Sequence, residues 1–366
     1  MVTVTRALIP PLDEYLTLVR QVCSTRHFTN HGPMVGSFEE KLLDLLSCGC
    51  EANTVYVSSC ANGTLGLELV LRALDLGGKR VVTTPFTYVA TLSALLAVGC
   101  TPVFVDIDPQ SLCITPEDVH ACLDEGISAI LPVHIYGNAC DVKGFGELSK
   151  SADVPVIYDA AHAFGACYEG ESLLTFGSLA VGSFHATKVF HTCEGGCVVS
   201  HDKGMRDVLH CIRAFGHVGD THIMPGINAK MSEIHAAMGL CLLPYVQAGI
   251  AARKTLTELY DTLLAPLPLR KPRWREGLQS NYAYYPIIFQ TESELLTVQA
   301  ALNAREVFTR RYFYPALNTL PYLKDAWKKS CPVAESISHR VLCLPLYADL
   351  HVEDVYYVSD VIKNAL

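Results

Sequence analysis

The chain has 366 residues, half of them hydrophobic and 18% charged, with a formal net charge of −9. That length accommodates one large apolar core and a smaller second unit. Both signs of charge are interspersed and no basic block appears, which excludes an electrostatic footprint for nucleic acid, while the acidic balance alone identifies no partner.

The first residues, MVTVTRALIPPLDEYLTLVRQ, lack the charged leader, apolar run and small-residue site of a signal peptide, so none is expected. From about residue 50, short β-branched runs alternate with helical stretches. VYVSS (Val55 to Ser59) precedes a helical run from Thr64 to Leu74, and RVVTT (Arg80 to Thr84) precedes another from Tyr88 to Val98. PVFVDI (Pro102 to Ile107) leads to a well-signalled helix start, with Thr115 as N-cap, Pro116 at the first position, and Glu117 and Asp118 in the first turn. AILPV (Ala129 to Val133), VPVIYD (Val154 to Asp159) and LAVGSF (Leu179 to Phe184) continue the series.

Strands apolar on both faces and separated by helices imply an α/β fold around a mostly parallel central sheet. After a helical run from Met231 to Leu243 the pattern breaks near Pro244 to Ala251, and aromatic-rich segments (NYAYYPIIF, RRYFYP) follow. The expected organisation is a large domain, 1–245, and a smaller α+β domain, 246–366. The longest apolar stretches, such as Leu92 to Cys100, are too short to span a bilayer, so no membrane association is expected. Fifteen cysteines form no CxxC pair and no regular spacing, which favours neither a disulfide framework nor a zinc site. Several, including Cys100, Cys197, Cys241 and Cys343, sit in apolar contexts where a thiol acts as a small hydrophobe. A reducing cytoplasm fits this pattern.

In parallel sheets ligands gather at the carboxyl ends of the strands. Three features fall there. Asn62–Gly63–Thr64 joins a strand to a helix, which makes either a phosphate site at a helix N-terminus or a commonplace glycine turn. Asp159 ends a strand, where a carboxylate can pair with a protonated pyridine nitrogen or merely cap the next turn. Lys188, in the largely uncharged SFHATKVFHTCEGG, is either a desolvated amine suited to Schiff-base chemistry or an ordinary loop lysine. His185, His191 and Cys193 lack the further partners a metal site needs, and no metal is expected.

Seven segments occur in order: VSSCANGT, PFTYVATLSAL, PVFVDID, DAAHAFGA, FGSLAVGSFHATK, EGG and GINAKMSEIHAAMG. Together they resemble the DegT/DnrJ/EryC1/StrS sugar aminotransferases, a branch of the fold type I enzymes that use pyridoxal 5'-phosphate (PLP). The match is most specific over residues 28 to 245 and looser beyond. The resemblance implies that Lys188 holds the cofactor as a Schiff base and then moves protons, while Asp159 keeps the pyridine nitrogen protonated. His162, where many relatives carry Gln, would donate to the ring hydroxyl, and Tyr88 would stack on the ring. Gly63, Thr64 and Ser183 would hold the phosphate, with Asn228 completing it from the neighbouring subunit of a homodimer with shared active sites. His185, Arg213, Lys230, Tyr312 and Tyr314 are candidates to meet the substrate, although a solvated salt bridge is the plainer reading for Arg213 and Lys230, and core packing is nearly as good a reading for the two tyrosines.

The implied reaction moves an amino group from L-glutamate to a ketone of a nucleotide-linked keto-deoxysugar. RRYFYP resembles the subgroup that aminates C4 of a dTDP-4-keto-6-deoxyhexose, as in O-antigen and lipopolysaccharide deoxyamino sugars. Amination at C3 of a 3-keto sugar is the close alternative. A PLP-dependent sugar dehydratase would carry histidine in place of Lys188, and a non-catalytic sensor on this fold would not need the intact set of Lys188, Asp159 and Tyr88.

Overall fold

The structure is a computed structural model and describes residues 1–47, 55–123 and 126–366. Each expected strand forms, at slightly different bounds: β1 (Tyr56–Cys60), β2 (Arg80–Thr83), β3 (Thr101–Phe104), β4 (Ile127–Leu131), β5 (Ile157–Asp159) and β6 (Leu179–Ser183). A further strand, β7 (Gly196–Ser200), follows the glycine pair after Lys188 and had no counterpart among the expected elements. Ladders and isolated bridges set the order β1-β7-β6-β5-β4-β2-β3, parallel throughout except for β7, which runs against both neighbours. The strands are almost wholly buried, as expected of a sheet covered on both faces.

Helices begin where short polar residues satisfy the first free N–H groups. Asn62 accepts from the Leu65 N–H at the start of α2 (Gly63–Ala73), and Thr115 caps the expected helix at Pro116. The preceding helix, α1 (Pro33–Leu46), is capped from far away. The buried Glu233 carboxylate accepts from the N–H groups of Gly32 (2.9 Å), Met34 (2.7 Å) and Val35 (3.2 Å). Gly32 permits this, since a Cβ there would lie 2.7 Å from that carboxylate.

The break expected near Pro244 is not a break. A single 3-10 turn (Leu243–Tyr245) joins α4 (Glu233–Leu242) directly to α5 (Val246–Leu264), and Pro244 occupies the first turn, where its missing N–H costs little. The resulting 32-residue rod, Glu233–Leu264, is long and apolar enough to cross a membrane by length and composition, which corrects the expectation that no segment qualifies. Part of its apolar surface, including Ala236, Leu242, Leu256 and Tyr260, is buried in the protein.

Beyond the rod, an antiparallel pair, β8 (Tyr285–Ile288) with β9 (Val341–Leu344), packs with α6 (Glu292–Asn303) and α8 (Val352–Ala365) around its own apolar cluster. Val2 joins this cluster, because Val2–Thr3 pairs in parallel with Val307–Phe308. The larger apolar cluster also takes in residues beyond 245, among them Tyr284, Phe313, Leu317 and Cys343. Asp106, just past β3, ties this later region to the main sheet, accepting from Val333 N and Ala334 N (2.8 Å each) at the start of α7 (Pro332–Arg340). Cys100, Cys197, Cys241 and Cys343 are buried free thiols.

Glu233→Ala should strip three buried N–H groups of their acceptor and destabilise the protein by about 2–4 kcal/mol, read as a lower urea midpoint. A midpoint equal to that of the parent would show that water replaces the carboxylate without loss.

Candidate active site

The carboxyl ends of β1, β5 and β6 and the start of the reversed β7 meet at one edge of the sheet, which brings Gly63, Asp159 and Ser183 to the same cavity. The cavity encloses about 430 Å³ and is also walled by Thr64, Tyr88, His162, His185, Lys188 and Tyr312. Nine of the thirteen residues expected at the site are therefore gathered here.

Lys188 lies in the loop between β6 and β7, held by a backbone bond from its N–H to His185 O (2.9 Å). Its Nζ approaches Tyr284 Oη at 3.4 Å. Burial pushes its amine down to about 8, while the charge of Asp159 and the neighbourhood of Tyr88 pull the other way. Burial pushes Asp159 upward, opposed by Thr91 Oγ1 (2.7 Å), the Ala161 N–H (3.1 Å) and Lys188. Burial also holds His162 neutral, well below the usual histidine range. Its Nδ1 accepts from the Tyr136 N–H (3.3 Å), which assigns the remaining ring proton to Nε2 and makes that nitrogen a donor. The ring stacks on Phe313, with centroids 5.4 Å apart.

At the phosphate end, Leu65 N uses the Asn62 cap, but among the described residues neither Gly63 N nor Thr64 N meets an acceptor. Two free N–H groups at the positive end of an eleven-residue helix, with Ser183 opposite, form an anion seat. The turn is tight, since a Cβ on Gly63 would lie 2.9 Å from Ser183 Cβ. Tyr88, half exposed at the N-terminus of α3 (Val89–Val98), presents a free ring to the cavity. An amine, a carboxylate, a neutral imidazole donor, an aromatic wall and an anion seat match the aldehyde, pyridine nitrogen, ring hydroxyl, ring face and phosphate of PLP. The residues present fit the group.

Four expected residues lie elsewhere. Arg213 is buried in an internal ion pair with Glu39 (2.9 Å) and also donates to Ser59 O, so it is not free to meet a substrate. Burial alone would raise the Glu39 carboxyl, but Arg213 and Ser59 hold it below its usual range. Lys230 donates to Asn228 Oδ1 (2.8 Å) and lies over the Phe215 ring, and neither Asn228 nor Lys230 borders its own chain's cavity. Asn228 does not cap the following helix, because Ser232 does. Tyr314 lines an adjoining groove, its ring under the Arg311 guanidinium at 3.7 Å. His185 borders the cavity but its nitrogens face Thr187 (2.8 Å) and Glu194 (3.6 Å). The sequence reading missed Tyr284, Thr91 and Phe313. Thr91, one turn after Tyr88 in a mostly apolar helix, offered a signal, whereas Tyr284 lay undistinguished in an aromatic-rich segment.

The chain matches the DegT/DnrJ/EryC1/StrS aminotransferase family over residues 12–363. It is similar to the dTDP-4-amino-4,6-dideoxy-D-glucose transaminase of Shigella dysenteriae, 36% identical over 99% of this chain and 98% of that one. It is also similar to the UDP-2-acetamido-2-deoxy-3-oxo-D-glucuronate aminotransferase of Pseudomonas aeruginosa, 30% identical over 91% of each. Among solved structures, DesI in the presence of its TDP-sugar product superposes with a TM-score of 0.91 at 28% identity, covering 99% of this chain and 92% of DesI.

Because the neutral amine is the reactive form, acetic anhydride trace-labelling of Lys188 in the cofactor-free enzyme should rise with pH through a midpoint near 8. Removing the nearby charge in Asp159→Asn should move that midpoint lower still. A wild-type midpoint at the usual lysine value of about 10.4 would contradict the desolvated setting.

Proposed function

Since the chain belongs to the DegT/DnrJ/EryC1/StrS aminotransferase family of PLP-dependent enzymes, we propose that this sugar aminotransferase moves an amino group from L-glutamate to the C4 ketone of a dTDP-4-keto-6-deoxyhexose. The product is a dTDP-4-amino-4,6-dideoxy sugar, and glutamate leaves as 2-oxoglutarate. The observation that carries the reading is Lys188, a desolvated amine facing the same cavity as Asp159. The likeness to the Shigella transaminase supports the nucleotide and the carbon.

When bound, PLP supplies the electron sink that lets a proton leave the carbon bearing nitrogen. Lys188 would hold the cofactor and, once released, would carry that proton as base and then acid. Asp159, fixed by Thr91 and the Ala161 N–H, would keep the pyridine nitrogen protonated. His162 Nε2 would donate to the ring hydroxyl, Tyr88 would cover the ring, and the free N–H groups of Gly63 and Thr64 with Ser183 would hold the phosphate. Buried free thiols support a cytoplasmic setting.

Asn228 reaches the phosphate of the neighbouring subunit in a homodimer. This reading is supported by its distance from its own chain's cavity lining and by the cap at Ser232, which leaves its amide no helix to serve.

Incubation with glutamate and a panel of keto-sugar nucleotides, followed by mass spectrometry and NMR, should place a new amine on C4 of the dTDP sugar. An amine at C3 would overturn the regiochemistry, and no glutamate consumption with any sugar would overturn the aminotransferase reaction. Mixing Asn228→Asp with Lys188→Ala homodimers, each nearly inactive, should restore up to about half the activity per mixed dimer, because one composite site then carries both defects and its twin carries neither. No recovery despite subunit exchange would defeat the shared site.

A further inference from the structure

Thr87 and Thr91 lie across the start of α3 with Tyr88 between them, and both are buried. Their hydroxyls form a short chain that ends on Asp159. Thr91 Oγ1 is 2.7 Å from Asp159 Oδ2 and 3.2 Å from Thr87 Oγ1. Among the described residues the Thr87 hydroxyl meets no other partner. Threonines in other helices spend their hydroxyls differently. Thr17, Thr255, Thr262 and Thr297 each donate to the carbonyl four residues back, the usual local outlet for this side chain. Thr91 makes no such bond among the described residues and turns its hydroxyl to a carboxylate 68 residues away.

A hydroxyl carries one proton. The Thr91 proton goes to Asp159, so Thr91 accepts from Thr87 and both protons point toward the carboxylate. Asp159 is itself buried, and burial favours the neutral acid. Its other oxygen has the Ala161 N–H (3.1 Å), and Lys188 adds charge from the facing loop. We propose that Thr91, with Thr87 behind it, is a positioning residue that holds Asp159 as the ionised carboxylate and fixes the direction of its free lone pairs. A hydrogen bond to the charged form favours that form, and a hydroxyl that already accepts from a second hydroxyl is the stronger donor. One turn of α3 thus supplies both the ring wall at Tyr88 and the support of the charge beneath it. The role in catalysis rests on the reading of Asp159 as partner of the pyridine nitrogen, since a neutral acid would not keep that nitrogen protonated.

The charge of Asp159 can be read without turnover. Its carboxyl stretch, assigned by its loss in Asp159→Asn, is followed by infrared titration of the cofactor-free enzyme on the acid side of neutrality. The titratable groups around it are Lys188 from the loop, His162 from its own segment, Tyr88 from the start of α3 and Tyr284 from the later part of the chain. Lys188, at about 8, stays charged in that range and His162 stays neutral, so the midpoint belongs to Asp159. Removing a donor to the ionised form moves the midpoint upward. Thr91→Val, which keeps the β-branched shape, should raise it by about one to two pH units, and Thr87→Val by less. Thr91→Ser should return it close to the parent value. A merely structural threonine would lower the urea midpoint and leave the carboxyl titration where it was. An unmoved midpoint in Thr91→Val, or a Ser variant displaced as far as the Val one, would overturn the assignment. In the cofactor-loaded enzyme, NMR of an isotope-labelled pyridine nitrogen should show a smaller protonated fraction in Thr91→Val than in the parent. A raised carboxyl midpoint with an unchanged nitrogen would overturn the pairing of Asp159 with the ring and leave the hold of Thr91 on Asp159 standing.

Discussion

The site depends on how closely the reversed strand β7 passes the Asn62–Gly63 turn. Gly196 pairs with Ser183 on one side and Cys60 on the other. A Cβ at position 196 would meet the Asn62 carbonyl carbon at 2.8 Å, the Gly63 nitrogen at 2.9 Å and the Gly182 oxygen at 2.8 Å. All three are backbone atoms inside a sheet or at a helix start, so none can swing aside as a side chain does. With only hydrogen there, β7 sits between β1 and β6 and draws the first N–H groups of α2 over Ser183. The anion seat, the direction of α2 and the loop that carries Lys188 all follow from that spacing.

On this frame the electrostatics are set by mutual restraint. Burial drives the Lys188 amine down and the Asp159 carboxyl up, and the attraction between them limits both movements. His162 stays neutral, and burial raises the phenol of Tyr284, so the group nearest Lys188 is a hydrogen-bonding partner without charge. A cavity in which one acid and one base are held nearer to neutral conditions than in water is the setting that proton transfer needs.

Much of this was legible along the chain because it is local. Asn62–Gly63–Thr64, Asp159 and Lys188 each lie at the end of a strand whose apolar run is plain, and the sheet brings those ends together without further instruction. What the chain concealed is contact between distant segments. Arg213 finds Glu39 across 174 residues and Tyr284 finds Lys188 across 96, and no spacing announces either pair. Pro244 misled because proline usually ends a helix, yet in a first turn its absent N–H has no partner to lose. The strand β7 was hidden by the glycine pair at its start, a sequence that reads as loop until the neighbouring strands are in place.

Asp106 is one of several fastenings between the chain before and after residue 245. Its two carboxylate oxygens accept from consecutive N–H groups at the start of α7. Far from it, Asn281 Nδ2 donates to His162 O (2.8 Å) and Phe164 O (2.9 Å), and Leu317 N donates to Pro85 O (2.8 Å). Leu278–Gln279 also pairs with Cys167–Tyr168 as an antiparallel ladder. A rotation about any one of these points would stretch the others. The backbone that carries His162 is therefore tied to the later part of the chain, and the cavity wall it forms is held from both sides.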